Sequence, residues 1–118
     1  MKLTSYKDLI VWQKAMNLAE LIYKATKQFP REELYGLTSQ IRRAAVSIPS
    51  NIAEGQARQS TAEFRNFLSI AQGSLAEVET QLMLAIRFEY LPAPQAAPMF
   101  QLREEISKML TALRAKLI

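Results

Sequence analysis

The sequence contains no cysteine and no histidine, and only three of its 118 residues are glycine. The lack of cysteine excludes disulfides and thiolate chemistry. The lack of histidine removes the commonest general base and the commonest metal ligand. With so few glycines, the chain also has no glycine-rich loop that would cradle phosphates. We therefore expect no catalytic residue, no metal site and no cofactor, and we predict that the protein is not an enzyme.

The sequence also lacks a long apolar run. No uninterrupted stretch approaches the roughly 18 residues that a membrane helix needs. The charged residues Asp8 and Lys14 come too early for the apolar region of a signal peptide. These features predict a cytoplasmic protein that does not associate with membranes. The formal net charge of +4 permits a polyanionic partner, although only as a mild bias.

Hydrophobic residues make up 49% of the chain, which is enough for a core, and the length suits one domain over residues 1–118. Apolar residues recur at helical spacing in four segments, and no strand pattern competes with them. These segments predict helices over residues 6–29, 37–55, 61–90 and 98–117. Short connectors between long helices favour antiparallel neighbours, so the predicted fold is an all-α, up-down-up-down four-helix bundle.

Local signals predict where the helices end. Ser60 and Glu63 have the spacing of a capping box at the start of the third helix. Gly55 is a natural residue to end the second helix. The segment 92–98 is rich in proline and alanine, and we predict that it is a linker.

The predicted core-facing residues form one regular stripe on each helix. They are Val11, Ala15, Leu18, Ile22, Ala25 and Phe29, then Leu37, Ile41, Ala44, Ile48 and Ile52, then Phe64, Leu68, Ala71, Leu75, Val78, Leu82 and Ala85, and finally Leu102, Ile106, Met109, Leu113 and Leu117. The first helix has a second stripe with Trp12, Met16 and Tyr23. That stripe covers either another helix of the same bundle or a neighbouring subunit. A tryptophan and a tyrosine beside a methionine are typical of interface cores, which favours the subunit.

The second helix is interrupted by Pro49. Proline has no amide hydrogen for the carbonyl of Ala45, so the helix is expected to kink there, or to stop and restart. One interpretation of the small polar residues nearby is a local repair, in which Ser47, Ser50 and Asn51 supply hydrogen bonds to the freed backbone carbonyls.

The other interpretation is a packed polar contact. Ser47, Asn51 and Glu54 share one helix face, and Ser74 and Glu77 share a face of the next helix. Such residues suit a polar seam between two helices or between subunits. Catalysis by Glu54 and Glu77 as an acid pair is the weakest option, since the carboxylate–histidine motif of di-iron bundles is absent.

Three blocks of the sequence carry a resemblance to a known family. LIVWQKAMNLAELIY, LTSQIRRAAVSIPSNIAEG and EFRNFLSIAQGSLAEVETQL resemble the four-helix bundle proteins encoded in intervening sequences of bacterial 23S ribosomal RNA genes. The family's activity is poorly defined. The resemblance implies that this chain assembles into a ring, with a homopentamer as the expected form, and the location of the family's genes suggests association with RNA or a ribonucleoprotein. A relative in fold, the accessory variability protein of diversity-generating retroelements, is a similar ring that binds nucleic acid.

The family pattern falls on residues of the second and third helices. They are Arg42, Arg43, Ser47, Asn51, Glu54, Gly55, Arg58, Ser74 and Glu77. The chain departs from the pattern in its fourth helix and in the 92–98 linker.

A nucleic acid would be contacted by basic residues of the second and third helices. The candidates are Arg42, Arg43, Arg58 and Arg65, and one of the first two is expected to pair with Glu54 or Glu77. Arg58 and Arg65 lie near the start of the third helix, where amide hydrogens favour phosphate. A ring would multiply a weak contact into a basic rim. The alternative is a symmetric scaffold that binds another protein and does not bind nucleic acid directly.

Overall fold

The protein is an all-α four-helix bundle in this computed structural model, which describes residues 5–117. The helices are α1 (Ile10–Thr26), α2 (Leu37–Ala57), α3 (Thr61–Arg87) and α4 (Ala93–Lys116). A 3-10 turn precedes each of the first two helices, at Tyr6–Asp8 and Arg31–Glu33, and the described part of the chain contains no strand. The predicted fold class is therefore confirmed.

The helices are arranged so that α1 and α3 each pack between α2 and α4. The contacts between α2 and α3 run in opposite directions: Ser47 meets Ser74, whereas Gly55, further along α2, lies against the earlier residue Phe67. The bundle measures 44 × 25 × 20 Å. Its long axis is close to the length of α3, which has 27 residues and spans about 40 Å at helical rise.

The core forms along the predicted stripes of α1, α2 and α3. Every predicted core residue of these three helices is buried except Phe64, which is half-buried. The prediction for α4 was less accurate. Ile106 is buried as expected, but Leu102, Met109, Leu113 and Leu117 are only half-buried. The other buried residues of α4 are Ala96, Met99 and Leu110.

The first and third helices are shorter than predicted. Tyr6–Asp8 is a 3-10 turn, and extended backbone at Leu9 separates it from α1. At the other end of α1, the hydroxyl of Thr26 donates to the carbonyl of Tyr23, and residues 27–29 form a turn. Side-chain hydrogen bonds of this kind compete with the helix ladder near its end.

The third helix ends at Arg87 because the chain turns at Glu89. This residue has φ = 63°, in the left-handed region that normally favours glycine. The amide of Glu89 donates to the carbonyl of Ile86, and the amide of Tyr90 donates to that of Ala85. The two bonds are those of a Schellman motif. The prediction missed it because no glycine marks the position.

The segment predicted to be a linker is helical. α4 begins at Ala93, and Pro92 caps it by accepting hydrogen bonds from the amides of Gln95 and Ala96. Pro94 lies in the first turn, where a missing amide hydrogen costs nothing. Pro98 lies deeper and removes one helical bond. Burial of Ala96 and Met99 in the core offsets that loss.

Candidate functional site

A polar seam joins α2 to α3 at the middle of the bundle. The hydroxyls of Ser47 and Ser74 are 2.9 Å apart. The side-chain amide of Asn51 donates to both the carbonyl and the hydroxyl of Ser47, each at 2.8 Å. Ser74 is only 4% exposed, and all three side chains have hydrogen-bond partners. These residues form the polar contact between two helices that the sequence pattern suggested.

The helix is continuous through Pro49, so the predicted stop and restart does not occur. Asn51 donates to the carbonyl of Ser47, which is not the carbonyl that Pro49 leaves without an amide donor. Ser50 is exposed on the outside of the helix. The polar residues therefore serve the contact with α3 more than a repair at the proline.

Gly55 does not end α2, contrary to the prediction. The helix continues to Ala57, and Gly55 is buried against the start of α3. A Cβ atom at this position would lie 2.6 Å from the Cβ of Phe67 and 3.0 Å from a ring carbon of Phe64. Glycine is needed here because the two backbones approach closely.

The two glutamates of the family pattern are not part of the seam. Glu54 and Glu77 are both exposed. Glu54 accepts a hydrogen bond from Arg58, whereas Glu77 lies in a polar groove between α2 and α3 with Arg43 and a volume of about 340 Å³. Gly55, the residue after Glu54, lies against Phe67 of α3. Glu77 is ten residues beyond Phe67 on α3, so the two glutamates are separated by about 15 Å along the bundle axis. At this separation they do not act as an acid pair.

Arg42 and Arg43 have different environments. The Nε of Arg42 donates to the hydroxyl of Thr26 at 2.8 Å, and its guanidinium lies 4.5 Å from the centre of the Tyr23 ring. Arg43 is exposed in the polar groove. The expected partner of one of them, Glu54 or Glu77, forms no ion pair with either among the described residues.

At the start of α3, Arg58 is already neutralised by acidic residues. Its guanidinium contacts Glu54 at 2.8 Å and Glu63 at 3.9 Å, and it lies 5.0 Å from the ring centre of Phe67. Ser60 and Glu63 cap the helix as predicted, since the Ser60 hydroxyl accepts from the Glu63 amide. Arg65 is exposed on the next turn. This end of the bundle therefore offers a phosphate less positive charge than its arginines suggest.

An apolar groove lies between α1 and α2 on the side of α2 away from the polar groove, and its volume is about 580 Å³. Trp12 is half-buried at one end of the groove, where its ring makes an edge contact with Tyr6 at 5.3 Å. Met16, Tyr23 and Val46 are 44%, 42% and 44% exposed. The remaining lining residues are Ala19, Glu20, Pro49, Ser50 and Ala53. Most of the second stripe of α1 is thus left uncovered by the bundle.

Sequence reasoning did not single out Lys27 and Arg31, which lie with Arg42 around a small pocket where α1 ends and α2 begins. The nearby Glu33 does not pair with these cations. Its carboxylate accepts a hydrogen bond from the amide of Leu37 at 3.0 Å and another from the hydroxyl of Tyr90 at 2.7 Å. These two bonds lower the pKa of Glu33, and the same carboxylate raises the pKa of Tyr90. In the sequence, the only hint of this pocket was that Lys27 and Arg31 flank Pro30 in the segment KQFPR, between the first two predicted helices.

The described residues show neither a metal site nor a membrane helix. Between residues 5 and 117, no three acidic side chains gather in the way that a metal ion requires. None of the helices in this range has the length and apolarity needed to cross a bilayer.

Comparison with known proteins gives the same fold and a family. A family model described as 23S rRNA-intervening sequence protein matches residues 7–112. Among solved structures, the chain is similar to a protein of unknown function from the S23 ribosomal protein family of Bacteroides thetaiotaomicron VPI-5482. The two are 32% identical with a TM-score of 0.80, and the match covers 89% of this chain and 98% of that protein. No curated protein matches the chain.

Proposed function

Because this chain belongs to the 23S rRNA-intervening sequence protein family, we propose that it is a non-catalytic bundle that assembles with copies of itself into a ring. We further propose that the ring associates with RNA or a ribonucleoprotein. The observation that carries the assembly is the apolar groove between α1 and α2. The family description and the positive net charge support the association with RNA.

The groove has the character of a surface that another protein covers. Its Met16, Tyr23 and Val46 are exposed together along one groove, and a cluster of exposed apolar side chains, unlike a single one, suits contact with another protein. The occupant in this proposal is the α3 face of a second copy. Ile70 and Met83, which are 45% and 49% exposed, flank that face on opposite sides, about 140° apart around the helix.

The α3 face also has room for a neighbouring helix. Gly73 lies between its exposed apolar residues, and a Cβ at Gly73 would have no atom within 4 Å. A ring needs two different complementary patches on each subunit, and the groove and the α3 face would be that pair. The family resemblance implies five subunits.

Light scattering on the purified chain tests the assembly. We expect a mass several times that of the 13.4 kDa chain, and a shift toward one copy in the double variant Met16→Ser/Val46→Ser, which loses apolar groove surface. Leu21→Ser is the control, because Leu21 is a similarly exposed apolar residue of α1 that does not line the groove. A mass of one chain at every concentration would contradict the assembly.

The association with RNA is tested on the same preparation by retention of RNA at increasing salt. Phosphate contacts release counterions, so the affinity should fall linearly on a log–log plot against salt. Arg43 and Arg65 are exposed cations available for such contacts. Absence of salt-dependent retention would reject this part of the proposal and leave the assembly standing.

A scaffold that binds another protein and no nucleic acid is the second candidate. The ion pairs of Arg58 with Glu54 and Glu63 favour it, since they remove charge from the end of the bundle where a phosphate contact was predicted. A protein partner that is captured equally well before and after nuclease treatment would support the scaffold over RNA association.

A further inference from the structure

A small basic pocket lies where α1 ends and α2 begins, and its volume is about 270 Å³. It is lined by Thr26, Lys27, Phe29, Pro30, Arg31, Leu34, Thr38 and Arg42. Three of these residues are cationic and none is acidic. Arg42 also lies beside the apolar groove, because its guanidinium is over the ring of Tyr23, which lines that groove.

The basic pocket has no acidic residue in its lining, and Glu32, which follows Arg31 in the chain, is exposed and forms no ion pair with its cations. Arg42 donates only to neutral oxygens, the hydroxyl of Thr26 and the carbonyl of Tyr23. Lys27 and Arg31 are exposed and make no ion pair with any described residue. The neighbouring Glu33 is held by Leu37 and Tyr90. Three unpaired cations around a concave surface raise the local concentration of anions.

The buried hydroxyl of Thr38 is a second, independent observation. Thr38 is 4% exposed, and its hydroxyl has no hydrogen-bond partner among the described residues. Nearly all buried polar groups in proteins are hydrogen-bonded, to protein or to ordered water, so an unpaired hydroxyl beside the cations is unusual. The hydroxyl of Thr26 is already used, since it donates to Tyr23 and accepts from Arg42. The Thr38 hydroxyl is thus an unused polar group in the wall of the pocket, shielded from solvent in this structure.

We infer that the basic pocket binds a phosphate group. Arginine and lysine are the side chains that recognise phosphate, and the planar guanidinium of Arg42 still has N–H donors to offer it. Part of this inference rests on the proposed function, which supplies the RNA backbone as the source of the phosphate. In an assembled ring, each copy would present one such pocket beside the groove that its neighbour covers.

The test compares two variants that remove the same amount of charge. Lys27→Gln/Arg31→Gln changes the basic pocket and leaves Arg42 and its contacts in place. Lys108→Gln/Lys116→Gln removes two exposed lysines of α4 that do not line it. All four residues are exposed, so both variants should keep the parent's circular dichroism and Tm. The probe is a short, fluorescein-labelled, single-stranded oligoribonucleotide, measured by anisotropy over a range of salt concentrations.

We expect the pocket variant to bind the oligoribonucleotide roughly tenfold more weakly than the parent and the control variant less than about threefold more weakly. The slope of log affinity against log salt is negative, and it should become less steep by about 0.7 in the pocket variant, since one phosphate contact is lost. If the two variants bind equally well, the oligoribonucleotide does not use the pocket, although RNA association itself would stand.

Inorganic phosphate provides the second arm and separates the pocket from the proposed RNA association. In NMR titrations we expect phosphate to shift the amide signals of Lys27, Arg31 and Thr38 in the parent, and not in the pocket variant. If these shifts occur while the oligoribonucleotide fails to bind the parent, the pocket stands and the source is a phosphate other than RNA. If the Lys27→Gln/Arg31→Gln variant matches the parent both in its affinity for the oligoribonucleotide and in its phosphate-induced amide shifts, the inference is overturned.

Discussion

The two sides of α2 pack in opposite ways. Toward α3, small residues bring the helices together: Ser47 bonds Ser74, and Gly55 lies directly against Phe67. Toward α1, larger residues such as Val46 line an open apolar groove. Side-chain size on a single helix can therefore close one face and leave the other available. Adjacent residues, Val46 and Ser47, belong to the two different sides.

The largest effect on folding is expected at the closest point of the α2–α3 contact. Gly55→Ala would place a Cβ 2.6 Å from the rigid Cβ of Phe67. We expect overpacking to lower the free energy of unfolding by about 1–3 kcal/mol. Gly73→Ala is the matched control, because its Cβ would meet open space, and it should raise that free energy by up to about 1 kcal/mol through helix propensity. Urea unfolding of both variants at low protein concentration measures the difference, and equal stabilities would show that the helices are not closely packed at Gly55.

A middle-sized effect is expected from breaking the seam. Asn51→Leu removes both hydrogen bonds to Ser47 and places an apolar side chain beside buried hydroxyls. We expect a loss of about 1–2 kcal/mol of unfolding free energy. Ser50→Leu, one residue earlier on the groove side of α2, should change it by less than about 0.5 kcal/mol when both variants are measured at low protein concentration, where the chain is dissociated. Should the two variants melt at the same temperature, the seam contributes nothing to stability.

The smallest effect on folding is expected on the open side. Val46→Ser alters a groove residue that is 44% exposed, so the unfolding free energy of the dissociated chain should change by less than about 0.5 kcal/mol. The same variant should weaken self-association, because the groove loses apolar area. Comparing chemical unfolding at low concentration with light scattering at high concentration separates the two quantities. A large loss of stability in the dissociated chain would mean that Val46 packs within its own bundle.

The basic pocket illustrates a kind of site that a linear pattern does not predict. Its cations come from the end of α1, from a 3-10 turn and from the second turn of α2. Lys27 and Arg31 each look like ordinary surface residues in the sequence. Only the close approach of the two helix ends brings them around Arg42 and Thr38.

The fold was predictable because helical periodicity is a local property. Apolar residues every three or four positions place Val11, Leu18 and Ile22 on one side of α1, and burial of that side decides how the helix packs. The Ser60 cap of α3 was predictable for the same reason, because its partner Glu63 is only three residues away.

Local sequence patterns were enough to predict the four helices, most of the core residues and the small polar residues of α2. The use of those patterns depends on packing between helices. Gly55 allows a close helix contact, the segment 93–98 forms the first turns of α4, and α3 turns at Glu89 without a glycine. The tertiary structure also decided that Glu54 and Glu77 face solvent at separate levels of the bundle. The physical reason is that periodicity and capping act within one or two turns, whereas helix spacing, burial and charge clustering depend on residues distant in the chain.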